Sequence, residues 1–164
     1  MMPDNRLKDL GSDVKFLIVA FLVVLSIGFY SGILFVDHTT SSSPNGIVEN
    51  YLGNEQDENA SIMKFRKSER EMLSLIHGHV LSMALIFFAL GFLVSMAELN
   101  KFWKRFLILE PFFSIVLTFG GMYLLWKGMN WMTYIIMLSG IVMTMVYTAS
   151  VIIVLWQVAS KTSE

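Results

Sequence analysis

Four stretches of this chain stay apolar, without alternation, long enough to cross a bilayer, and no other feature limits the fold as tightly. They run from about Phe16 to Val36, Leu73 to Met96, Phe106 to Trp126 and Trp131 to Trp156. About 20 residues of helix span the roughly 30 Å of hydrocarbon. Lipid offers no partner to a backbone N–H or C=O, so a spanning segment must be a helix or belong to a closed barrel. Barrel strands alternate lipid-facing and lumen-facing residues, and these runs do not alternate. The expected fold is therefore all-α: an integral membrane four-helix bundle forming a single transmembrane domain over residues 1–164. Its helices are expected over about 16–36, 69–97, 106–126 and 131–157, with one extracytoplasmic loop over 37–68. A hydrophobic content of 55% and a mean hydropathy of +0.61 agree with a chain built for lipid.

The first run is longer than a signal-peptide core and no A-x-A-like site follows it, so it reads as an uncleaved anchor. Trp103, Trp126, Trp131 and Trp156 stand near run ends, where an indole has both an apolar surface and a polar partner. With the N-terminus inside, Arg6, Lys8, Lys15, Lys101, Lys104, Arg105 and Lys161 are cytoplasmic. Lys64, Arg66, Lys67, Arg70 and Lys127 are outside. Basic residues favour the cytoplasm, so both termini are expected there, and a bacterial inner membrane is the expected location.

Near-neutral net charge (−1) excludes the basic surface of a nucleic-acid binder. The absence of cysteine excludes disulfides, thiolate metal sites, iron–sulfur clusters and covalent c-type haem. No nucleotide loop, nucleophile elbow, zinc-protease or EF-hand pattern occurs. Asn59-Ala60-Ser61 is a formal glycosylation sequon, and Glu55, Asp57 and Glu58 form an acidic group of unremarkable spacing.

Residues 37–68 are too few for an independent core and are expected to fold back over the helix ends. Thr39 to Gly46 reads as loop, and Ile62 to Lys67, mixing apolar and basic residues, suits the lipid headgroups. Ser68 and Glu71 match a capping box that starts the second helix near Glu69. Small residues recur on every helix: Gly28 and Gly32; Ser74, Gly78 and Ser82; Ser114, Thr118 and Gly121; Gly140, Thr144 and Thr148. Close packing in lipid uses such stripes, which are expected to point inward. A dimer through Gly28 and Gly32 is the alternative.

His77 and His79 stand in the outer third of the second helix, where an ionisable side chain is costly and faces a cavity, a partner or a cofactor. At 100° per residue they point about 160° apart, so they have separate partners. A b-type haem near the outer face is one expectation, with His77 or His79 as a ligand and His38 as the second. Met122, Met129 and Met132 are alternatives to His38. Copper(I) held by His79, Met72 and Met83 is another, against methionines that simply fill a core. No cofactor at all is the third, with the imidazoles bonded to Glu49, Glu55 or Glu71. Imidazoles beside carboxylates would also suit proton handling. Glu110, before Pro111 in the third run, is a further polar anomaly. Lys101, Lys104 or Arg105 are its expected partners, or it snorkels at a helix start.

Gly53-Asn54-Glu55 in the loop, then Glu71 and His77-x-His79 opening an apolar helix, resembles a pattern in small bacterial four-helix membrane proteins, over roughly Gly46 to Glu98. No characterised activity attaches to that group. The resemblance implies that loop and histidines form one site. The functional expectation is a small membrane subunit of a redox or respiratory-type assembly. The alternatives are a non-catalytic accessory subunit and a copper-binding membrane protein. The expected partners are the lipid bilayer and other membrane subunits or further copies of the chain, with no nucleic acid and no catalytic activity of its own.

Overall fold

The computed structural model describes residues 6–57, 60 and 62–160. The sequence-based expectations for Glu58, Asn59, Ser61 and Lys161 lie outside the described residues. After a 3-10 turn at Leu7–Asp9 come five helices: α1 (Ser12–Thr40), α2 (Pro44–Leu52), α3 (Glu69–Ser95), α4 (Lys101–Trp126) and α5 (Met132–Ala159). All but α2 are long and apolar enough to span a membrane. The chain is an all-α integral membrane protein.

α3 and α4 begin on side-chain caps rather than at the edges of the apolar runs. The Asn100 side chain accepts from Phe102 N at 2.9 Å and starts α4 five residues before the apolar run. Ser68 and Glu71 form the reciprocal capping box that starts α3. Hydropathy marks the hydrocarbon, whereas caps mark where orphan N–H groups are satisfied.

The segment read as loop from Thr39 to Gly46 is instead helix, corner and helix. α1 continues to Thr40, so His38 lies within it. Ser41 and Ser42 take left-handed φ of 51° and 44°. Ser43 caps α2 by accepting from Gly46 N at 3.0 Å, with Pro44 at its first position. A Cβ on Gly46 would overlap the Thr40 carbonyl, so only glycine lets α2 sit this close to the end of α1.

α3, α4 and α5 pack against one another along their lengths. Gly91 faces Ile108 and Gly121 faces Ile136, so the small residues admit neighbouring side chains. Thr118 and Ser139, both buried, share a 2.7 Å hydrogen bond between α4 and α5. α1 rests on α5 through its middle. Phe29 stacks on Tyr147 at 3.8 Å and Phe87 of α3 meets both rings edge-on. Ser26 bonds Tyr147 at 3.2 Å and Tyr30 bonds Thr148 at 2.8 Å. Beyond that point, Ser31 to His38 are all exposed.

The small-residue stripes do not all point inward. Ser114, Thr118 and Gly121 of α4 do, but Gly28 and Gly32 of α1 and Ser74, Gly78 and Ser82 of α3 are exposed. A stripe of small residues permits close approach without specifying whether the approaching helix belongs to the same chain.

At one end, Leu7 is fully buried while Arg6 and Lys8 pair with Glu98 in the α3–α4 turn. Glu98 N donates to Gln157 Oε1 at 2.7 Å and Gln157 Nε2 donates to Glu98 O at 3.1 Å. The N-terminal turn, the α3–α4 turn and the end of α5 therefore meet at this terminal end. α2 and residues 53–57 and 62–68 cover the opposite, loop end.

Candidate functional site

The loop end is a cap built from the residues of the GNE motif. Gly53 holds φ +83°, and a Cβ there would stand 2.7 Å from Arg66 N. The Asn54 side chain donates to Ile62 O at 3.0 Å and accepts from Lys64 N at 2.6 Å, while its own N–H donates to Lys64 O at 2.9 Å. Glu55 Oε1 accepts from Arg66 N at 3.1 Å. Asn54 and Glu55 thus pin one extended segment that passes close over Gly53, and Glu55 is used there rather than on a histidine.

That segment fastens to the helices. Lys64 Nζ donates to Thr39 O at 2.9 Å. Arg66 Nη2 donates to the Trp126 carbonyl at 2.8 Å and its guanidinium lies 5.4 Å from the indole centroid. Trp126 Nε1 donates to Lys67 O at 2.8 Å, and Lys127 Nζ stands 4.7 Å from the same ring. Trp126 is therefore buried under the cap, while Trp103, Trp131 and Trp156 are exposed near helix ends. Tyr51, buried beneath the cap, has its phenol pushed up to about 12 by desolvation, opposed by a hydrogen bond with Asn50. Sequence reasoning missed the Arg66–Trp126 clasp. Its only advance signal was Trp126 at an apolar run end with a basic loop on the same side.

The three histidines do not converge. His38 is exposed near the end of α1. His77 is exposed on α3 and has no hydrogen bond, ion pair or ring contact among the described residues. His79 turns toward α4, its ring 5.4 Å from Phe119, and its Nδ1 donates to the Leu75 carbonyl at 2.8 Å. The Nδ1–H tautomer leaves the Nε2 lone pair uncommitted. Met72 is fully buried and Met83 partly buried against the core. Neither imidazole bonds Glu49, Glu55 or Glu71, and Glu71 instead bonds Ser68 at 2.7 Å. Among the described residues no group of three or more His, Asp or Glu side chains is arranged to hold a metal ion.

Glu110 also differs from expectation. Its Oε1 accepts from Ser114, one turn on, and its Oε2 is buried without a hydrogen-bond partner among the described residues. None of Lys101, Lys104 or Arg105 pairs with it, and Lys104 donates to Ser95 O at 3.1 Å instead. An open groove of about 500 Å³ runs beside Glu110, walled by Phe102, Phe106 and Phe113.

Ser74, His77, Gly78 and Ser82 are all exposed on α3. A Cβ on Gly78 would meet nothing within 4 Å. His77 lies about 12 Å along a helix of about 40 Å at 1.5 Å per residue, four residues past Leu73, where the apolar run begins. Residues 41–164 match a family described as a transmembrane helical domain. No curated protein and no solved structure matches the chain.

Proposed function

The chain belongs to the Aq_1264_TM family of transmembrane helical domains, and from that premise we propose that it is a non-catalytic accessory subunit that packs against another membrane protein along the outer face of α3. One observation carries this. An imidazole, two hydroxyls and an uncovered glycine stand together on a face where only lipid would otherwise lie. Hydrocarbon cannot hydrogen-bond His77, whereas a neighbouring helix can, and Gly78 lets that helix approach closely. By the positive-inside bias the loop end faces away from the cytoplasm, so the contact lies in the outer leaflet.

The test is photocrosslinking in native membranes from a benzophenone amino acid at His77 or Ser82, with Val116 of α4, also exposed, as control. The expected result is one discrete protein adduct from α3 and lipid adducts alone from Val116. Lipid adducts alone from both helices overturn the proposal. Gly78→Leu should abolish the adduct while the fold survives.

A second proposal retains a cofactor, a b-type haem or copper, for a membrane redox subunit. It is favoured by the Nδ1–H bond of His79 to Leu75 O. Metal-bound histidines usually donate their other ring N–H to a carbonyl or carboxylate, which fixes the tautomer that ligates. The remaining ligands would then come from the partner. A visible spectrum and elemental analysis of the detergent-purified assembly decide it. A Soret band or bound copper lost in His79→Ala supports it, and a colourless, metal-free assembly sinks it.

A further inference from the structure

Along residues 62–66 the usual sense of a water-facing loop is inverted. Ile62, Met63 and Phe65 are 69%, 58% and 69% exposed. The cations between and beside them are tied to the protein: half-buried Lys64 donates to the Thr39 carbonyl, and Arg66, itself exposed, donates to the Trp126 carbonyl and lies against its ring. A segment in contact with water would gain by exposing its charges and covering its phenylalanine.

Depth supplies the second observation. Arg66 and Lys67 are bonded to Trp126, the last residue of α4, and the chain enters α3 at Glu69. Phe65, one residue away, is within about 4 Å of that level along the backbone. The end of a spanning helix, marked by tryptophan, is the boundary between headgroups and acyl chains. Bonds from Asn54 and Glu55 hold the segment rigid, so its apolar side chains are presented without further ordering.

We propose that Ile62, Met63 and Phe65 form a lipid anchor that seats the cap in the headgroup–acyl boundary of the bilayer, and that the GNE motif exists to present it. The occupant of this apolar face is phospholipid. Insertion at this boundary needs only apolar area at the right depth, and Lys64 and Arg66 are already committed to the protein's own carbonyls.

The chain has no cysteine, so single cysteines can be labelled without further change. Nitroxides at Ile62→Cys, Met63→Cys and Phe65→Cys are measured in the full chain reconstituted into phosphatidylcholine–phosphatidylglycerol vesicles. Gln56→Cys serves as the water control and Phe35→Cys as the lipid control. The expected result is that oxygen relaxes all three anchor labels several-fold more than a water-soluble nickel chelate, as at Phe35, with the reverse at Gln56. Labels at 62, 63 and 65 as open to the chelate as Gln56 overturn the proposal. Labels open in vesicles but shielded in native membranes overturn it too, because a protein then covers the face. To separate the anchor from the label's own greasiness, unlabelled Ile62→Ser/Phe65→Ser is compared with wild type by amide exchange in the same vesicles. Exchange over residues 62–67 should rise at least tenfold, and unchanged exchange overturns the proposal.

Discussion

Arg66 and Trp126 are bound in both directions: the guanidinium donates to the Trp126 carbonyl, and the Trp126 indole returns a bond to the carbonyl of the next loop residue, Lys67, both at 2.8 Å. The carbonyl is one of the orphan acceptors at the end of α4, so the loop completes the helix that it covers. Arg66→Ala should cost about 1.5–3 kcal/mol, the range for a lost charged hydrogen bond. Denaturant titration in micelles checks it, with exchange at residues 62–67 rising before that of the helices. Arg66→Lys should recover only part of the loss, because an ammonium cannot stack flat on the indole.

Gly53 and Gly78 should respond oppositely to alanine. At Gly53 a positive φ and the closeness of Arg66 N make a side chain costly, by about 1–3 kcal/mol. At Gly78 the space is open and alanine favours helix by up to about 1 kcal/mol. Thermal unfolding of the two purified variants should show one midpoint below wild type and the other at or above it.

Glu98 makes the terminal end acid-sensitive. The hydrogen bond from Lys8, and then the charges of Lys8 and Arg6, hold its carboxyl below the ordinary value against partial desolvation. A depressed carboxylate contributes stability that is complete above the unfolded value, about 4.3, and is lost as pH falls through the lower folded value. Docking of residues 6–10 should therefore be constant from neutrality to about pH 5 and weaken below about pH 4. Exchange of that segment across pH, corrected for intrinsic rates, should show the acid transition in wild type and not in Glu98→Gln. The effect should shrink in high salt, as for any exposed pair.

Phe29 should be the residue on which α1 depends. Its stack on Tyr147 and edge contact with Phe87 are the main aromatic hold on the helix. Phe29 is half-buried, so Phe29→Ala should cost about 1.5–3 kcal/mol, less than a fully buried phenylalanine would. Distances between spin labels at Val36 and Ile152 should broaden in the variant while α3–α4 distances stay sharp.

The sequence exposed what hydropathy and local chemistry determine. Four apolar runs gave the four spans, and Ser68 with Glu71 gave the start of α3. α2 was hidden because a nine-residue amphipathic helix leaves no run, and its signals, Ser43 and Pro44, also read as turn. The outward Gly28 and Ser74–Gly78–Ser82 stripes could not be oriented, since small residues look alike whether they face a sibling helix or a separate protein. For Glu110 the sequence left open a basic partner or a snorkelling position at a helix start, whereas Ser114, four residues on, is the group it bonds. For the histidines, spacing predicted that His77 and His79 point apart, but not what either would touch. Their surroundings depended on Phe119 and the Leu75 carbonyl, which no local pattern specifies.

The freedom of α1 above Tyr30 has a mechanical consequence. From Ser31 to His38 no side chain is buried, and above the Tyr30–Thr148 bond the helix is fastened at its end, through the Thr39 carbonyl to Lys64 and through buried Thr40 to α2. Its upper half is a beam propped at the waist and tied at the top, with an open berth alongside. A lipid tail or a visiting helix can occupy that berth without breaking an interhelical bond, and whatever tilts the beam pulls directly on Lys64 and so on the cap.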